Sequence, residues 1–225
     1  MAINLNEDQV EQTTLSLLKE LNYNSVYGLE IAPDGISPER DLYSDVILVQ
    51  RLRKAITRLN PNIPPTAREE ALKKVLRSES SDLLSNNLRF HQLLTDGIDV
   101  EYRENDRMKG DKVYLVDFQN PSNNDFLAVN QFTVIENNNN RRQDIVLFIN
   151  GLPLVVIELK NPADERATLK KGYQQLQTYK SQIPSLFQFN EILITSDGME
   201  AKAGTLTSSW ERFMPWKTID GTTIT

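Results

Sequence analysis

The chain has 225 residues, 39% of them hydrophobic, and a formal net charge of −6; this supports one large core, or a core with a helical subdomain, and argues against a nonspecific DNA coat, which would be basic. The absence of cysteine excludes disulfides, thiolate metal sites and cysteine nucleophiles and fits a reducing cytoplasm, and the single histidine, His91, excludes a multi-histidine metal cluster. No apolar run approaches the roughly 20 residues that cross a bilayer, and the opening MAINLNEDQV lacks the regions of a signal peptide, so no membrane association is expected.

Residues 6–22 read as a helix capped by Asn6, with acids in its first turn and an apolar stripe of Val10, Leu17, Leu18 and Leu21. After the turn-rich GLEIAPDG, residues 41–59 read as a second helix carrying Arg51, Arg53, Lys54 and Arg58, ended by Pro61, Pro64 and Pro65. Shorter helices follow near 66–77 and 81–95, and Asp96-Gly97 closes a mainly helical region, 1–97. The remainder, 98–225, changes pattern: strands at 98–103 and 112–118, a long strand at 126–136, and a solvated loop at Asn137 to Asn140. The runs IVLFI (145–149) and LVVI (154–157) meet at Asn150-Gly151, a strong hairpin signal, and their unbroken apolarity indicates strands covered on both faces. Asn161-Pro162 ends the second strand, helical spacing returns over 164–182, and 191–196 is another buried strand. The expected class is mixed α/β: a central sheet flanked by helices, with the helical N-terminal region packed on it as one compact domain.

Buried runs rarely end in charge without a reason. Here one starts just after Asp144 and the other ends in Glu158-Leu159-Lys160. Alternation puts positions 158 and 160 on one strand face, and the hairpin brings Asp144 beside them. Two carboxylates suit Mg²⁺, a hard cation that prefers oxygen. Such an ion lowers the pKa of bound water and offsets charge building on a phosphodiester, while Lys160 orients the water or stabilises that charge. The competing reading is a same-face ion pair on a solvated strand end. Register offers a test, because a plain two-residue turn at Asn150-Gly151 sets Asp144 opposite Ile157, on the face away from Glu158. Convergence requires a bulged or three-residue hairpin, or a bend next to Asp144.

On the following helix Gln175 and Tyr179 lie four apart and share a face, able to reach a phosphate or brace the lysine, or to be only a polar surface pair. Lys170, Lys171 and Lys180 could track a phosphate backbone or form a solvated face. His91 reads as structural. Glu11 could add a metal ligand, although the helix dipole alone explains an acid there.

Together the stretches NQFTV, RRQDIVLFINGLPLVVIELKNPADERA, QLQTYK and NEILITSDG resemble the N-terminal nuclease domain of the restriction (R) subunit of type I restriction-modification enzymes. Upstream RLRKAITRLNP, FHQLL and VDFQNPSNNDFLAVNQ and downstream ERFMPWKTIDG extend the resemblance over nearly the whole chain. The resemblance implies a PD-(D/E)xK core. Its acids fall on Asp144 and Glu158 and its lysine on Lys160; the Gln-x-x-x-Tyr motif falls on Gln175 and Tyr179, and Gln143 replaces the usual proline. It also implies Mg²⁺ or Mn²⁺ held by Asp144, Glu158 and the Leu159 backbone carbonyl, with Glu11 as the candidate for a first-helix glutamate that related nucleases use. The implied activity is hydrolysis of duplex DNA phosphodiesters after motor-driven translocation, a type I site-specific deoxyribonuclease. The implied partners are DNA and the methyltransferase and specificity subunits. ATP would serve helicase-like motor domains, whose G-x-x-x-x-G-K-[ST] loop is absent from these residues, so the sequence reads as the nuclease region alone. Two alternatives stay open: a noncatalytic DNA-binding or docking module with a nuclease-like fold, and a stand-alone repair nuclease.

Overall fold

The computed structural model describes residues 6–162 and 168–217. Helix α1 (Glu7–Glu20) opens on a reciprocal cap: the Asn6 side chain accepts from the Gln9 N–H at 2.8 Å and the Gln9 side chain accepts from the Asn6 N–H at 2.9 Å. It buries Val10, Glu11 and Leu18, while Leu17 and Leu21 of the expected stripe stay exposed. A short strand, β1 (Asn24–Tyr27), follows; its four residues are too few to show a period in the sequence.

The second helix, α2 (Val49–Leu59), begins eight residues later than expected. Asp45 takes the preceding segment out of the helix, its Oδ2 accepting from the backbone N–H of Asp41 at 3.2 Å and Leu42 at 2.8 Å. Val46, Ile47 and Leu48 then enter the core as irregular chain. The three arginines of α2 are spent internally, while Lys54 is exposed. Arg51 bridges Glu39 and Asp125, Arg53 pairs with Glu69, and Arg58 donates to the Asn123 carbonyl and to Asn150. Helices α3 (Pro65–Leu76) and α4 (Leu83–Asp96) lie close to expectation.

Strands β2 (Ile98–Glu104) and β3 (Arg107–Val113) form a separate two-stranded ribbon. The expected strand over 112–118 is thus displaced towards the N-terminus. From Tyr114 the chain turns to the helical layer, where the Tyr114 N–H donates to Asn60 Oδ1 and Leu115 is fully buried. β4 (Phe126–Glu136) matches the expected strand, but β5 (Asn139–Ile149) begins inside the asparagine run, so only Asn137 and Asn138 form the turn. β6 (Leu152–Leu159), α5 (Leu169–Gln182), the single turn α6 (Pro184–Phe187), β7 (Ile192–Ser196), β8 (Ala201–Gly204) and β9 (Met214–Pro215) complete the chain. The expected start of α5, at 164, lies outside the described residues.

Three hairpins are closed by two-residue turns, Asn105-Asp106, Asn137-Asn138 and Asn150-Gly151, with positive φ at both positions. Asparagine and glycine tolerate that left-handed backbone, and its twist matches the strands it joins.

The large sheet runs β1-β4-β5-β6-β7-β8-β9. β1 pairs parallel to β4 and β6 parallel to β7; the other neighbours are antiparallel. α1 covers one face, where Val10 and Leu18 meet Ala128, Ile145, Leu147, Ile157 and Leu159. On the other face Val146, Phe148 and Val156 join a larger core with Leu52 and Ile56 of α2, Ala71 and Leu72 of α3, Phe90 of α4 and Leu176 of α5. Both faces of β5 and β6 are therefore covered, as their unbroken apolar runs require. No helix among the described residues is long and apolar enough to cross a membrane.

Candidate functional site

The site lies where β5 begins and β6 ends. The turn between them is the plain two-residue form, Ile149 facing Leu152, and alone it would turn Asp144 away from Glu158. A bulge in β6 corrects this. Phe148 pairs with Pro153 but Leu147 pairs with Val155, leaving Leu154 without a partner in the ladder. The Leu154 carbonyl is instead satisfied by the Glu191 N–H at 2.8 Å and by Asn190 Nδ2 at 3.3 Å, and Pro153 has no N–H to leave unpaired. From Ile145 opposite Ile157, the corrected register sets Asp144 across from Glu158. A bulged hairpin was the expectation, but the extra residue sits in the strand and not in the turn.

A second irregularity lies beside Asp144 itself. On β4 the odd positions Leu127 and Val129 face the larger core, but beyond Gln131 the even positions Phe132 and Val134 do. Gln131 has φ 55, and it and Asp144 are the one residue on each strand skipped by the ladder between Asn130↔Ile145 and Phe132↔Gln143. Both strands change phase here with no residue inserted. Asp144 thus sits at the pivot, and its Oδ2 accepts from the Leu159 N–H at 2.7 Å.

Glu158 is fully buried and Lys160 is 9% exposed. Lys160 Nζ donates to Glu158 Oε1 at 2.7 Å, to the Leu159 carbonyl at 2.9 Å and to Gln175 Oε1 at 3.1 Å. The Lys160 backbone N–H donates to the Ser196 carbonyl, extending the β6–β7 pairing one residue past the strand. Gln175 Nε2 donates to the Tyr179 hydroxyl, so the pair on α5 braces the lysine in series. The ion pair is buried, and a solvated strand end does not describe it.

Gly172 allows α5 to come this close. A Cβ there would lie 2.2 Å from Thr195 Oγ1 and 3.6 Å from Glu158 Cγ. Thr195 is held by donating to the Leu169 carbonyl at 3.1 Å. No sequence feature marked Thr195, and Gly172 stood unremarked inside a helical run.

Burial dominates the electrostatics. It pushes the Glu158 carboxyl up to about 8, with Asp144 adding to the rise and Lys160 opposing it. Burial also raises Asp144 to about 6, against the pull of the Leu159 N–H and Lys160. The Tyr179 hydroxyl is pushed up to about 12 by burial and then by Glu158. Glu158 Oε2 has no hydrogen-bond partner. One ammonium therefore leaves the negative charge here incompletely met. Two carboxylates and the Leu159 carbonyl form an all-oxygen donor set, which fits a hard divalent cation that keeps waters or phosphate oxygens as its other ligands.

Glu11 is placed differently. Its carboxylate accepts from Asn130 Nδ2 at 2.8 Å and from Gln131 Nε2. Among the described residues no three acidic or histidine side chains cluster closely enough to hold one ion together. It lines a cleft of about 890 Å³ with Glu7, Glu30, Arg142 and Asp144. Lys180 is turned inward to the Leu206 carbonyl at 2.7 Å, whereas Lys170 and Lys171 are exposed. His91 joins α4 to Glu191, a structural contact.

The family described as type I restriction enzyme R protein N terminus matches residues 4–212. Among curated proteins, the type I restriction enzyme HindI endonuclease subunit of Haemophilus influenzae is 43% identical over 96% of this chain and 21% of its own length. The putative type I restriction enzyme MjaIXP endonuclease subunit of Methanocaldococcus jannaschii is 37% identical over 97% of the chain and 21% of its own. The chain therefore spans about a fifth of the length of these relatives.

Proposed function

The chain belongs to the type I restriction enzyme R protein N-terminus family, and on that premise we propose that it is the endonuclease region of such a subunit, hydrolysing phosphodiesters of duplex DNA with Mg²⁺ or Mn²⁺. The convergence of Asp144, Glu158 and Lys160 at one end of the β5–β6 hairpin carries this reading.

Asp144, Glu158 and the Leu159 carbonyl would hold the ion. When bound, the ion supplies a water of lowered pKa and offsets charge on the scissile phosphate. Asp144 is oriented for this by the Leu159 N–H, which fixes one of its oxygens. Lys160 lies at the end of β6, where it can stabilise a phosphorane or align the attacking water. Gln175 holds the ammonium in place, and Tyr179 holds Gln175. Packing against both faces of β5 and β6 keeps bulk water from the carboxylates and strengthens each of these interactions. Exposed Lys170 and Lys171, at the start of α5, are candidates to meet the DNA backbone. Sequence recognition, methylation sensing and ATP-driven translocation belong to partner subunits and to the remaining four-fifths of a full-length subunit.

The deciding assay is plasmid cleavage by the complete R subunit assembled with its methyltransferase and specificity partners. Wild type is compared with Asp144→Ala and Lys160→Ala, each expected to lose cleavage. Wild-type cleavage by both variants would refute the assignment.

A further inference from the structure

The break opposite Asp144 needs an explanation of its own. Gln131 is a non-glycine residue held at φ 55, a backbone region that L side chains rarely adopt and that persists only where the surroundings enforce it. Two contacts enforce it. On one side the Gly28 N–H donates to the Asn130 carbonyl at 2.7 Å, and a Cβ on Gly28 would lie 2.5 Å from the Gln131 carbonyl oxygen, so β1 closes on the kink. On the other side Glu11, 8% exposed on α1, accepts from both side-chain amides, Asn130 Nδ2 and Gln131 Nε2. A carboxylate accepting from two adjacent residues of one strand clamps them. The kink takes Gln131, the residue that would pair with Asp144, out of the ladder, so Asp144 lies outside the β4–β5 pairing and the shape of the kink sets the backbone beside it.

We propose that Glu11 is a positioning residue for Asp144: by clamping Asn130 and Gln131 it holds the kink opposite Asp144 and so fixes where that carboxylate sits, and it does not itself ligate metal. The proposal rests on the reading of Asp144 and Glu158 as metal-binding carboxylates. It explains why an acid on the first helix is buried beside the site while both of its oxygens are engaged elsewhere.

A rescue experiment in the complete assembled enzyme separates positioning from ligation. Glu11→Ala removes the clamp, and Glu11→Gln keeps one acceptor oxygen and covers the case in which the alanine variant fails to fold. Cleavage is expected to fall roughly 10- to 100-fold in Glu11→Ala, the usual cost of removing a group that orients a metal ligand, and less in Glu11→Gln. Adding Gln131→Gly to either variant restores most of the loss, because glycine adopts positive φ without the clamp. Mn²⁺ affinity of the 225-residue chain, read by titration calorimetry, follows the same order: weakened by Glu11→Ala and recovered in Glu11→Ala/Gln131→Gly. Failure of Gln131→Gly to recover either readout, or unchanged cleavage in Glu11→Ala, overturns the proposal. Asp144→Ala, run in parallel, distinguishes the two levels. Full cleavage by that variant removes the metal-site reading, whereas its loss of cleavage together with a failed rescue removes only the role of Glu11.

Discussion

Asp144 and Leu159 are joined across the β5–β6 hairpin: the carboxylate accepts the Leu159 N–H at 2.7 Å, where the ladder would otherwise fray. One interaction thus fixes a candidate ligand and closes the strand end that delivers the other two site residues. Asparagine at 144 keeps an acceptor for that N–H but loses the charge. Asp144→Asn is therefore expected to retain the fold while cleavage by the assembled enzyme drops at least about 100-fold, the scale of losing an electrostatic group at a reacting centre. Circular dichroism and plasmid cleavage together check this; a misfolded variant or an active one contradicts it.

The raised carboxyls give the metal-free chain a pH dependence of definite sign. Asp144 at about 6 and Glu158 at about 8 bind protons in the folded state that the unfolded chain, with carboxyls at about 4, has released. Their contribution is present at low pH and is lost as pH rises through the folded values. The melting temperature, followed by calorimetry without divalent ions, should fall as pH rises from about 5 to 8. Glu158→Gln should flatten most of the slope. Because Mg²⁺ takes the deprotonated ligands, its stabilising effect should grow over the same interval. A melting temperature independent of pH in wild type contradicts the burial argument.

Lys160 and Glu158 form a buried pair, so removing one partner should cost more than removing both. Lys160→Met leaves Glu158 buried without its ammonium and is expected to destabilise the chain most above about pH 8, where the wild-type carboxyl is ionised, and little at lower pH, where it holds its own proton. Lys160→Met/Glu158→Gln should recover much of that stability without recovering cleavage. Urea titrations of the single and double variants measure the difference, and additive losses would show that the pair is not coupled.

The approach of α5 depends on one missing methyl group. Gly172→Ala should push the helix away from Thr195, at a cost of about 1–3 kcal/mol for overpacking, and should loosen the Gln175 contact with Lys160. Thr195→Ala in the same chain removes the hydroxyl that obstructs it and should return part of the stability. No destabilisation in Gly172→Ala would mean that the helix has slack at this point.

Much of this arrangement is readable from residue patterns. The apolar runs before Glu158 and after Asp144 mark doubly covered strands, Asn150-Gly151 marks their turn, and parity alone shows that a regular hairpin would separate the two acids. The location of the correction is not readable. The bulge at Leu154 is met by Asn190 and Glu191, which reach it from a distant segment, and the kinked Gln131 is met by Glu11, more than a hundred residues earlier. Local propensity also misplaced the start of α2, because Asp45 captures backbone groups that a helix would otherwise use. The ribbon ended early because Asn60 draws Tyr114 into the helical layer. In each case a tertiary contact outweighs a local preference.

Asn150 completes the account of the hairpin in another way. Its amide donates to the Leu115 carbonyl and to Asn124, its oxygen accepts from the Asp125 N–H and Arg58, and the residue is fully buried. An asparagine before glycine in a mobile chain ages chemically, its side-chain carbonyl being attacked by the next backbone nitrogen with loss of ammonia. Here the amide is held at both ends and cannot swing into that attack without the hairpin first coming apart. Isoaspartate at position 150, read by peptide mass spectrometry after long storage, would therefore accumulate no faster than the hairpin opens, and the Asn-Gly pair would serve as a slow internal clock for exposure of the strands that carry the site.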